Sequence, residues 1–228
     1  MSPTEPLRER FIKEARFGGD MPIDKEVYAD AGLDWWVPIL LGSGDLNARL
    51  GFFGRDPGRN EVHNQEPFIG KAGQHIRAAL YRVANGIELP SIEESIIVGS
   101  KVFWGNTVPY KPIGNKAWSM KTKRRFAALV TEVLTKHWKG TDLITCGRVA
   151  FLWFGVAEPS LKTEIEAHWK RDDRFETSLT VELAGKKINL HPLPHPSPLN
   201  ARWYKLFPDM LDSRLRSLKW PDDQIKTQ

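Results

Sequence analysis

The strongest constraint on the fold of this chain is a regular alternation of short apolar runs with amphipathic segments. The apolar runs Leu50 to Phe53, Val102 to Val108 and Asp142 to Cys146 have the length of strands and stop at loop-forming residues. Between them, apolar residues recur at helical spacing from Ile76 to Ala84 and from Phe126 to Leu134. Strands that alternate with helices favour a largely parallel sheet. We therefore predict an α/β fold, a three-layer α/β/α sandwich around a central, mainly parallel four-stranded sheet.

Further helices and a hairpin are predicted toward the two ends of the chain. Thr4 to Phe17 has the spacing of a helix, and a second short helix and an apolar segment follow it. Ser178 to Leu183 and Lys187 to Leu190 are typical of a hairpin, and a last helix is predicted over about Ala201 to Leu218. The expected organisation is one domain over residues 1–228, with residues 1–45 as a helical extension packed on it.

Composition excludes several classes of protein. The single cysteine, Cys146, rules out a disulfide within this chain and a cluster or zinc site held by four thiolates. The chain has no apolar run of the roughly 18 residues that a membrane span needs, and it starts without the apolar core of a secretory signal. The expectation is a soluble, cytoplasmic protein in a reducing compartment, with no membrane partner. The net charge of +5 is compatible with a polyanionic partner and equally with an ordinary enzyme.

A glycine-rich loop follows the first apolar run. It begins with GRDPG (Gly54 to Gly58) and ends with PFIGKAG (Pro67 to Gly73), where a helix starts. Glycines let backbone N–H groups approach a ligand closely, and the start of a helix favours an anion. Asp56, held by the proline after it, presents a carboxylate at the carboxyl end of a strand. The simpler interpretation is a turn aspartate beside a helix-capping loop.

Two further loops carry polar side chains. Asn106 follows the second apolar run and offers a donor and an acceptor to an amide-like ligand edge, although asparagine is also common in turns. The run HPSPL (His195 to Leu199) lies in a segment with four prolines between residues 192 and 198, which stiffen the backbone. Such a loop either displays an imidazole to a ligand or is a structural turn with a satisfied histidine. Because ligands bind at the carboxyl ends of parallel strands, we expect the three loops to meet.

Taken together, these loops resemble those of the uracil-DNA glycosylase superfamily over roughly Ala48 to Leu215. The first loop has the length and framework of the thermostable iron–sulfur branch, but its aspartate is in third place, as in the GQDPYH loop of the classical branch. HPSPL matches the leucine loop of the classical branch in full, and Asn106 falls where the superfamily keeps its base-reading asparagine. There are three departures. Cys146 alone cannot carry a four-cysteine cluster, Arg55 replaces the catalytic acid of the iron–sulfur branch, and Gly58 replaces the tyrosine that excludes thymine in the classical branch.

The resemblance implies a DNA repair glycosylase that flips uracil out of DNA, hydrolyses its N-glycosidic bond and leaves an abasic site. Asp56, ionised, would position water and stabilise the sugar cation, and His195 would donate a hydrogen bond to the departing uracil. Phe68 would stack on the flipped base while Asn106 reads its amide edge. The other implied contacts are Gly54, Arg55 and Gly58 to uracil, Ser197, Lys71 and Arg202 to phosphates, and Leu199 as a wedge in the duplex. No metal or redox cofactor is required.

Under this resemblance the substrate is uracil-containing DNA, single- or double-stranded, the product is free uracil, and the protein is a monomer. Two other functions remain open: binding of uracil-DNA or an abasic site without turnover, and excision of mismatched thymine, hypoxanthine or xanthine, which Gly58 permits. Two smaller features also have two interpretations. The basic run Lys121 to Arg125 either grips phosphates or is a solvated helix start. Glu61 is the alternative carboxylate if Asp56 does not position the water.

Overall fold

A computed structural model describes residues 5–197 and 200–221 of the chain. Within these ranges six strands form one sheet: β1 (Ser43–Gly44), β2 (Leu50–Gly54), β3 (Phe103–Asn106), β4 (Asp142–Cys146), β5 (Leu179–Leu183) and β6 (Lys186–Leu193). Their order is β1-β3-β2-β4-β6-β5. The four inner strands run parallel, and the edge strands β1 and β5 are antiparallel to their neighbours. The prediction of a four-stranded sheet was therefore wrong in number and covers only the parallel centre.

The parallel centre forms where the sequence is apolar on both sides of a strand. Every residue of β2 and of β4 is buried, as expected for strands covered on both faces. The sequence did not predict β1, because Ser43 and Gly44 carry no apolar pattern. A Cβ on Gly44 would lie 2.0 Å from the carbonyl oxygen of Val102, so only glycine lets this edge strand approach β3.

Helices cover both faces of the sheet. They are α1 (Glu5–Phe17), α2 (Lys25–Asp30), α3 (Arg59–Asn64), α4 (Lys71–Asn85), α5 (Ile92–Gly99), α6 (Met120–Glu132), α7 (Arg148–Leu152), α8 (Phe154–Ala157), α9 (Lys162–Lys170), α10 (Ala201–Tyr204) and α11 (Phe207–Ser217). One apolar core joins α4, α5 and α11 to Phe52 and Trp104 of the sheet. The other joins α1, α6, α7, α8 and α9 to Phe53 and Phe103. The layers are thus α/β/α, as the sequence predicts.

The last predicted helix is two shorter ones. The first, α10, ends at Tyr204, and α11 begins at Phe207 with Pro208 in its first turn. A proline lacks an N–H, and its ring clashes in a helix with the carbonyl four residues earlier, which here is that of Tyr204. A continuous helix over about Ala201 to Leu218 is therefore wrong. In the part of the chain that the structure describes, no helix is long and apolar enough to cross a membrane.

The amino-terminal helix α1 packs against α6. Leu7 and Phe11 are buried, and the rings of Phe11 and Phe126 stack with their centroids 5.8 Å apart. This contact adds the amino-terminal segment to the core on one face of the sheet.

The four parallel strands all end at one edge of the sheet, which we call the carboxyl edge. The loops after β2, β3 and β6 leave the sheet there, where α/β proteins bind their ligands. These are the three loops that carry the unusual residues of the sequence.

Candidate active site

A cleft of about 520 Å³ opens at the carboxyl edge. Its walls come from the loop after β2, the end of β3, the start of α4 and the loop after β6. Asp56, Asn106 and His195, which lie far apart in the sequence, all line this cleft. The other predicted site residues that line it are Gly54, Arg55, Gly58, Phe68, Lys71 and Ser197. The expectation that the three loops meet is confirmed.

Asp56 lies just beyond β2, and only 3% of its side chain is exposed. Burial disfavours the charged form and raises the pKa of Asp56 from 3.8 to about 6. The positive charge of Arg55 beside it keeps this pKa from rising further. The Nε of Arg55 donates to Asp56 Oδ1 over 2.9 Å. At neutral pH the carboxylate is therefore ionised, poorly solvated and fixed in orientation.

Arg55 connects the first loop to the second. Its Nη2 donates to the carbonyl oxygen of Asn115 over 2.9 Å, while its Nε holds Asp56. The hydroxyl of Thr107 donates to the carbonyl oxygen of Arg55 over 2.5 Å, which joins the ends of β2 and β3. The sequence resemblance assigns Arg55 to uracil. In the structure Arg55 lines the cleft, but its Nε and Nη2 donate to protein atoms. Its side chain therefore positions Asp56.

Phe68 and Asn106 meet above Gly54. A Cβ built on Gly54 would lie 2.6 Å from Phe68 Cζ and 2.9 Å from Asn106 Oδ1, so only glycine leaves room for both side chains. The Phe68 ring packs on Trp104 with the centroids 4.8 Å apart. No hydrogen bond joins the Asn106 amide to another residue that the structure describes. A flat ligand can therefore stack on the ring and bond to the amide along its edge.

A buried arginine holds the backbone of Phe68. The guanidinium of the fully buried Arg77 donates to the carbonyl oxygens of Phe68 (3.2 Å), Ser95 (2.5 Å) and Pro67 and to Glu66 Oε1 (2.5 Å). Phe68 has a φ of +49°, a left-handed conformation that is unfavourable for a bulky side chain. The hydrogen bonds of Arg77 stabilise this conformation. No sequence signal indicates the role of Arg77, because nothing in the pattern of α4 distinguishes it from a surface arginine.

Glu61 joins the two ends of the glycine-rich loop. Its Oε2 accepts from the Gly58 N–H over 2.9 Å, and its Oε1 accepts from the Gly70 N–H over 3.0 Å. Both carboxylate oxygens are occupied by backbone donors, which argues against Glu61 as the residue that activates water. Gly58 and Glu61 have the spacing of the glutamate half of a capping box, in which the glutamate accepts from the N-cap N–H, and this spacing is the sequence signal for the contact.

His195 reaches the cleft from the loop after β6. Burial lowers the pKa of His195, and the positive charge of Arg55 lowers it further, so the imidazole is neutral at neutral pH. Its ring nitrogens have no hydrogen-bond partner within the described ranges. Gly147 has a φ of +89°, and a Cβ there would lie 2.9 Å from His195 Cβ, so the loop depends on this glycine. The amide of Asn200 donates to the His195 carbonyl oxygen over 3.2 Å and fixes its backbone.

The four residues predicted to bind the DNA backbone or insert into it have different positions. Ser197 lines the cleft, and the exposed Lys71 lines it at the first turn of α4. Arg202 does not line the cleft, and its guanidinium lies 4.8 Å from the ring centroid of Trp203. Leu199 lies outside the residues that the structure describes.

The only cysteine of the chain lies at the bottom of the cleft. Cys146 is buried at the end of β4 and lines the cleft, and burial raises the pKa of its thiol to about 12. It is therefore a neutral, weakly nucleophilic thiol. Over residues 5–197 and 200–221, no group of three or more histidine, cysteine or acidic side chains is placed to hold a metal ion.

Comparison with known proteins agrees with this geometry. The family model of the uracil DNA glycosylase superfamily matches residues 41–219, which is most of the chain and includes every loop of the cleft. No curated protein sequence matches the chain significantly. Because the family match extends over the whole sheet and both walls of the cleft, the chain belongs to the uracil-DNA glycosylase superfamily.

Proposed function

We propose that this protein is a monofunctional uracil-DNA glycosylase, a repair enzyme that hydrolyses the N-glycosidic bond of uracil in DNA and leaves an abasic site. The observation that supports it best is the arrangement of one cleft, which combines a buried ionised carboxylate, an aromatic ring, and an imidazole and an amide that have no hydrogen-bond partner among the described residues. We propose that the whole chain acts as one domain, with residues 1–45 as an amino-terminal extension of it.

Base recognition follows from Phe68 and Asn106. The base must leave the helix stack, which costs a few kcal/mol and less in a single strand or a mispair. Once in the cleft it stacks on the Phe68 ring, and the Asn106 amide accepts from uracil N3–H and donates to uracil O4. Cytosine presents an acceptor and a donor in the opposite places, so its polar groups would stay unmatched in the cleft and it is rejected.

Asp56 acts on the sugar and on water. As the bond between C1′ and N1 lengthens, positive charge develops on the sugar, and its electron pair leaves with the base. The ionised carboxylate stabilises this charge and orients a water molecule toward C1′. The water oxygen bonds to C1′, its proton passes to Asp56, and uracil departs as an anion that is protonated by solvent. The raised pKa of Asp56 makes it a better proton acceptor than an ordinary aspartate.

His195 acts on the leaving group. Its neutral imidazole donates a hydrogen bond to the uracil oxygen on which negative charge develops. A donor that is already in place when the charge appears requires no reorganisation, and the loss of one such donor typically lowers the rate about 10²–10³-fold.

A glycosylase of broader specificity is the second candidate, and Gly58 is the observation that favours it. The classical branch excludes the thymine methyl with a tyrosine at this position, and here there is no side chain. A Cβ on Gly58 would lie 2.6 Å from Glu61 Oε2. A bulky residue at this position would therefore displace the carboxylate that holds the loop, so replacing Gly58 does not test specificity cleanly.

The direct test is a panel of oligonucleotides that carry uracil, thymine, hypoxanthine or xanthine, each as a single strand and opposite every normal base. Single-turnover excision is measured as the abasic product, which alkali converts to a strand break. We expect excision of uracil by the wild-type protein and a rate about 10²–10³-fold lower for Asp56→Asn. Binding of the uracil strand without any abasic product would contradict an enzymatic function. Excision of thymine or hypoxanthine at rates comparable to that of uracil would favour the broader specificity.

A further inference from the structure

A second groove, of about 190 Å³, lies beside the cleft. It is lined by Pro22, Pro112, Ile113, Lys116, Trp118 and Thr122, with the buried Trp118 beneath more exposed residues. Ile113, on the wall of the groove, is 52% exposed, so its side chain is accessible to a ligand. The groove is several times larger than the roughly 30 Å³ of one liquid water molecule, and it has room for one planar ring system.

Two neighbouring pairs of residues connect the groove to the cleft. Asn115 lines the cleft and accepts a hydrogen bond from Arg55, while Lys116, next in the chain, lines the groove. At the start of α6, Thr122 lines the groove, and the charge of the following Lys123 acts on Asp56. Asn115 and Lys116 therefore form part of the wall between the cleft and the groove. A ligand strand that leaves the cleft on this side crosses directly into the groove.

The charge of this face matches a polyanion. Between Asn106, at the end of β3, and Glu132 the chain has no acidic residue and six basic ones: Lys111, Lys116, Lys121, Lys123, Arg124 and Arg125. Lys111 is buried and pairs with Asp24 over 3.3 Å, but Lys116 and Lys121 are exposed. An apolar groove with exposed lysines on its rim fits a nucleotide strand, in which a base is flat and apolar on its faces and the phosphates are anionic.

We propose that this groove binds the unpaired base of a nucleotide next to the target nucleotide in single-stranded DNA, with Lys116 and Lys121 on the phosphates. The inference rests on the proposed function only in that the target nucleotide occupies the cleft. In a duplex the flanking base is stacked and paired, so it cannot enter the groove without a further unpairing cost. The groove therefore gives the protein a preference for single strands.

The test is fluorescence anisotropy with a uracil-free single-stranded oligonucleotide and with its duplex. Ile113→Ser removes the apolar wall, and Lys116→Glu reverses a charge on the rim; both residues are exposed, and circular dichroism checks that the variants are folded. Lys187→Glu is the matched control, because this exposed lysine lies on β6 near the opposite end of the sheet. We expect Ile113→Ser and Lys116→Glu to weaken single-strand binding about threefold to tenfold, and duplex binding less. Lys116→Glu also lowers the slope of log affinity against log salt by about one.

Wild-type affinity for the single strand in Ile113→Ser would overturn the proposal, and so would equal weakening of single-strand and duplex binding. Because the oligonucleotide contains no uracil, this result is independent of excision. If the groove variants lose single-strand affinity but the wild type excises no uracil, the proposed function is contradicted and the role of the groove is still supported. If the wild type excises uracil but the groove variants bind single strands like the wild type, only the proposed role of the groove is contradicted.

Discussion

Two buried aspartates at opposite ends of the sheet strands have pKa values that are shifted in opposite directions. Asp56 lies at the carboxyl edge and Asp142 begins β4 at the other edge, which we call the amino edge. Burial raises the pKa of Asp56 to about 6, with Arg55 as its one hydrogen-bonded partner among the described side chains. Burial also acts to raise the pKa of Asp142, but hydrogen bonds from His191, Asn189 and Arg49 outweigh it and hold the pKa at about 2.

Two histidines, four residues apart, show the same contrast. His191 pairs with Ile144 in the middle of the sheet and reaches back to Asp142: its Nε2 donates to Asp142 Oδ1 over 3.1 Å, and the Ser178 hydroxyl donates to His191 Nδ1 over 2.7 Å. Ser178 in turn accepts from the buried Arg214 over 3.2 Å. His195 has no such partners for its ring within the described ranges. The polar groups around Asp142 are thus matched to one another and stabilise the fold, whereas the Asn106 amide and the His195 ring in the cleft have no hydrogen-bond partner among the described residues.

The largest expected effect is on catalysis, and the two histidines test it as a pair. His195→Ala removes the donor to the leaving group, so the single-turnover excision rate should fall about 10²–10³-fold with little loss of stability. His191→Ala should leave the rate of the folded protein unchanged but lower the free energy of unfolding by about 1–3 kcal/mol, since it leaves buried partners unmatched. Equal rate losses in the two variants at a temperature where both are folded would refute this division of roles between the two histidines.

Asp142→Asn tests the stability of the amino edge. The change removes a charged acceptor from a network of donors, and we expect it to lower the free energy of unfolding in urea by about 1–3 kcal/mol at pH 7. Because the folded pKa lies below the ordinary value of 3.8, the stabilisation by Asp142 is present above that pH and is lost as the pH falls toward about 2. The exposed Asp172 serves as the control, and Asp172→Asn should change stability by less than about 0.5 kcal/mol. A variant at position 142 as stable as this control would contradict the network.

Asp56→Asn should act in the opposite direction on stability. The folded pKa of Asp56 lies above its ordinary value, so the folded state holds a proton that the unfolded state releases between pH 3.8 and about 6. The free energy of unfolding of the wild type therefore falls as the pH rises through this window, and it stays lower above it. Asparagine removes this cost, and we expect Asp56→Asn to be more stable than the wild type by about 1–3 kcal/mol at pH 8 and by little at pH 4. Thermal or urea unfolding at the two pH values measures this, and a less stable variant at pH 8 would contradict burial of an ionised group.

Arg55→Gln tests whether Arg55 lowers the pKa of Asp56. The excision rate of the wild type should rise with pH up to about 6 and then level off, because it requires the ionised Asp56. Arg55 lowers the pKa of Asp56, so its removal should move this break to higher pH, by about one unit. Arg55→Lys keeps the charge and should move the break less. A rate loss in Arg55→Gln with an unchanged break would mean that Arg55 acts on the substrate instead.

The smallest expected effect concerns the loop backbone. Glu61→Gln keeps the shape of the side chain but replaces one of the two acceptors of the Gly58 and Gly70 N–H groups by a donor. We expect a loss of about 1 kcal/mol in the free energy of unfolding and a modest loss of excision rate. If Glu61 were instead the residue that activates water, the rate would fall as far as in Asp56→Asn, which the same single-turnover assay would reveal.

Local sequence is sufficient for the parts of the fold that local physics decides. The apolar runs of β2 and β4 and the helical spacing of α4 and α6 predict the parallel centre and two of its covering helices, since burial on both faces requires apolar residues throughout. The pair Ser43 and Gly44 has no such pattern, and it becomes β1 only because it pairs with β3. The break before α11 follows from Pro208 itself, a local signal that ends the preceding helix.

The sequence by itself determined the chemistry of the cleft: which carboxylate, imidazole, amide and ring are available, and that their loops leave one edge of the sheet. Only the tertiary structure decided their pKa values and their hydrogen-bond partners. Whether Asp56 is raised or lowered in pKa depends on how much water and how many donors surround it, and these come from residues far away in the chain. For the same reason, the buried Arg77 under Phe68, the carboxylate of Glu61 across the loop and the matched network of Asp142 could not be inferred from any pattern of neighbours. Desolvation and hydrogen-bond matching are properties of the assembled fold, while residue type and spacing are properties of the chain.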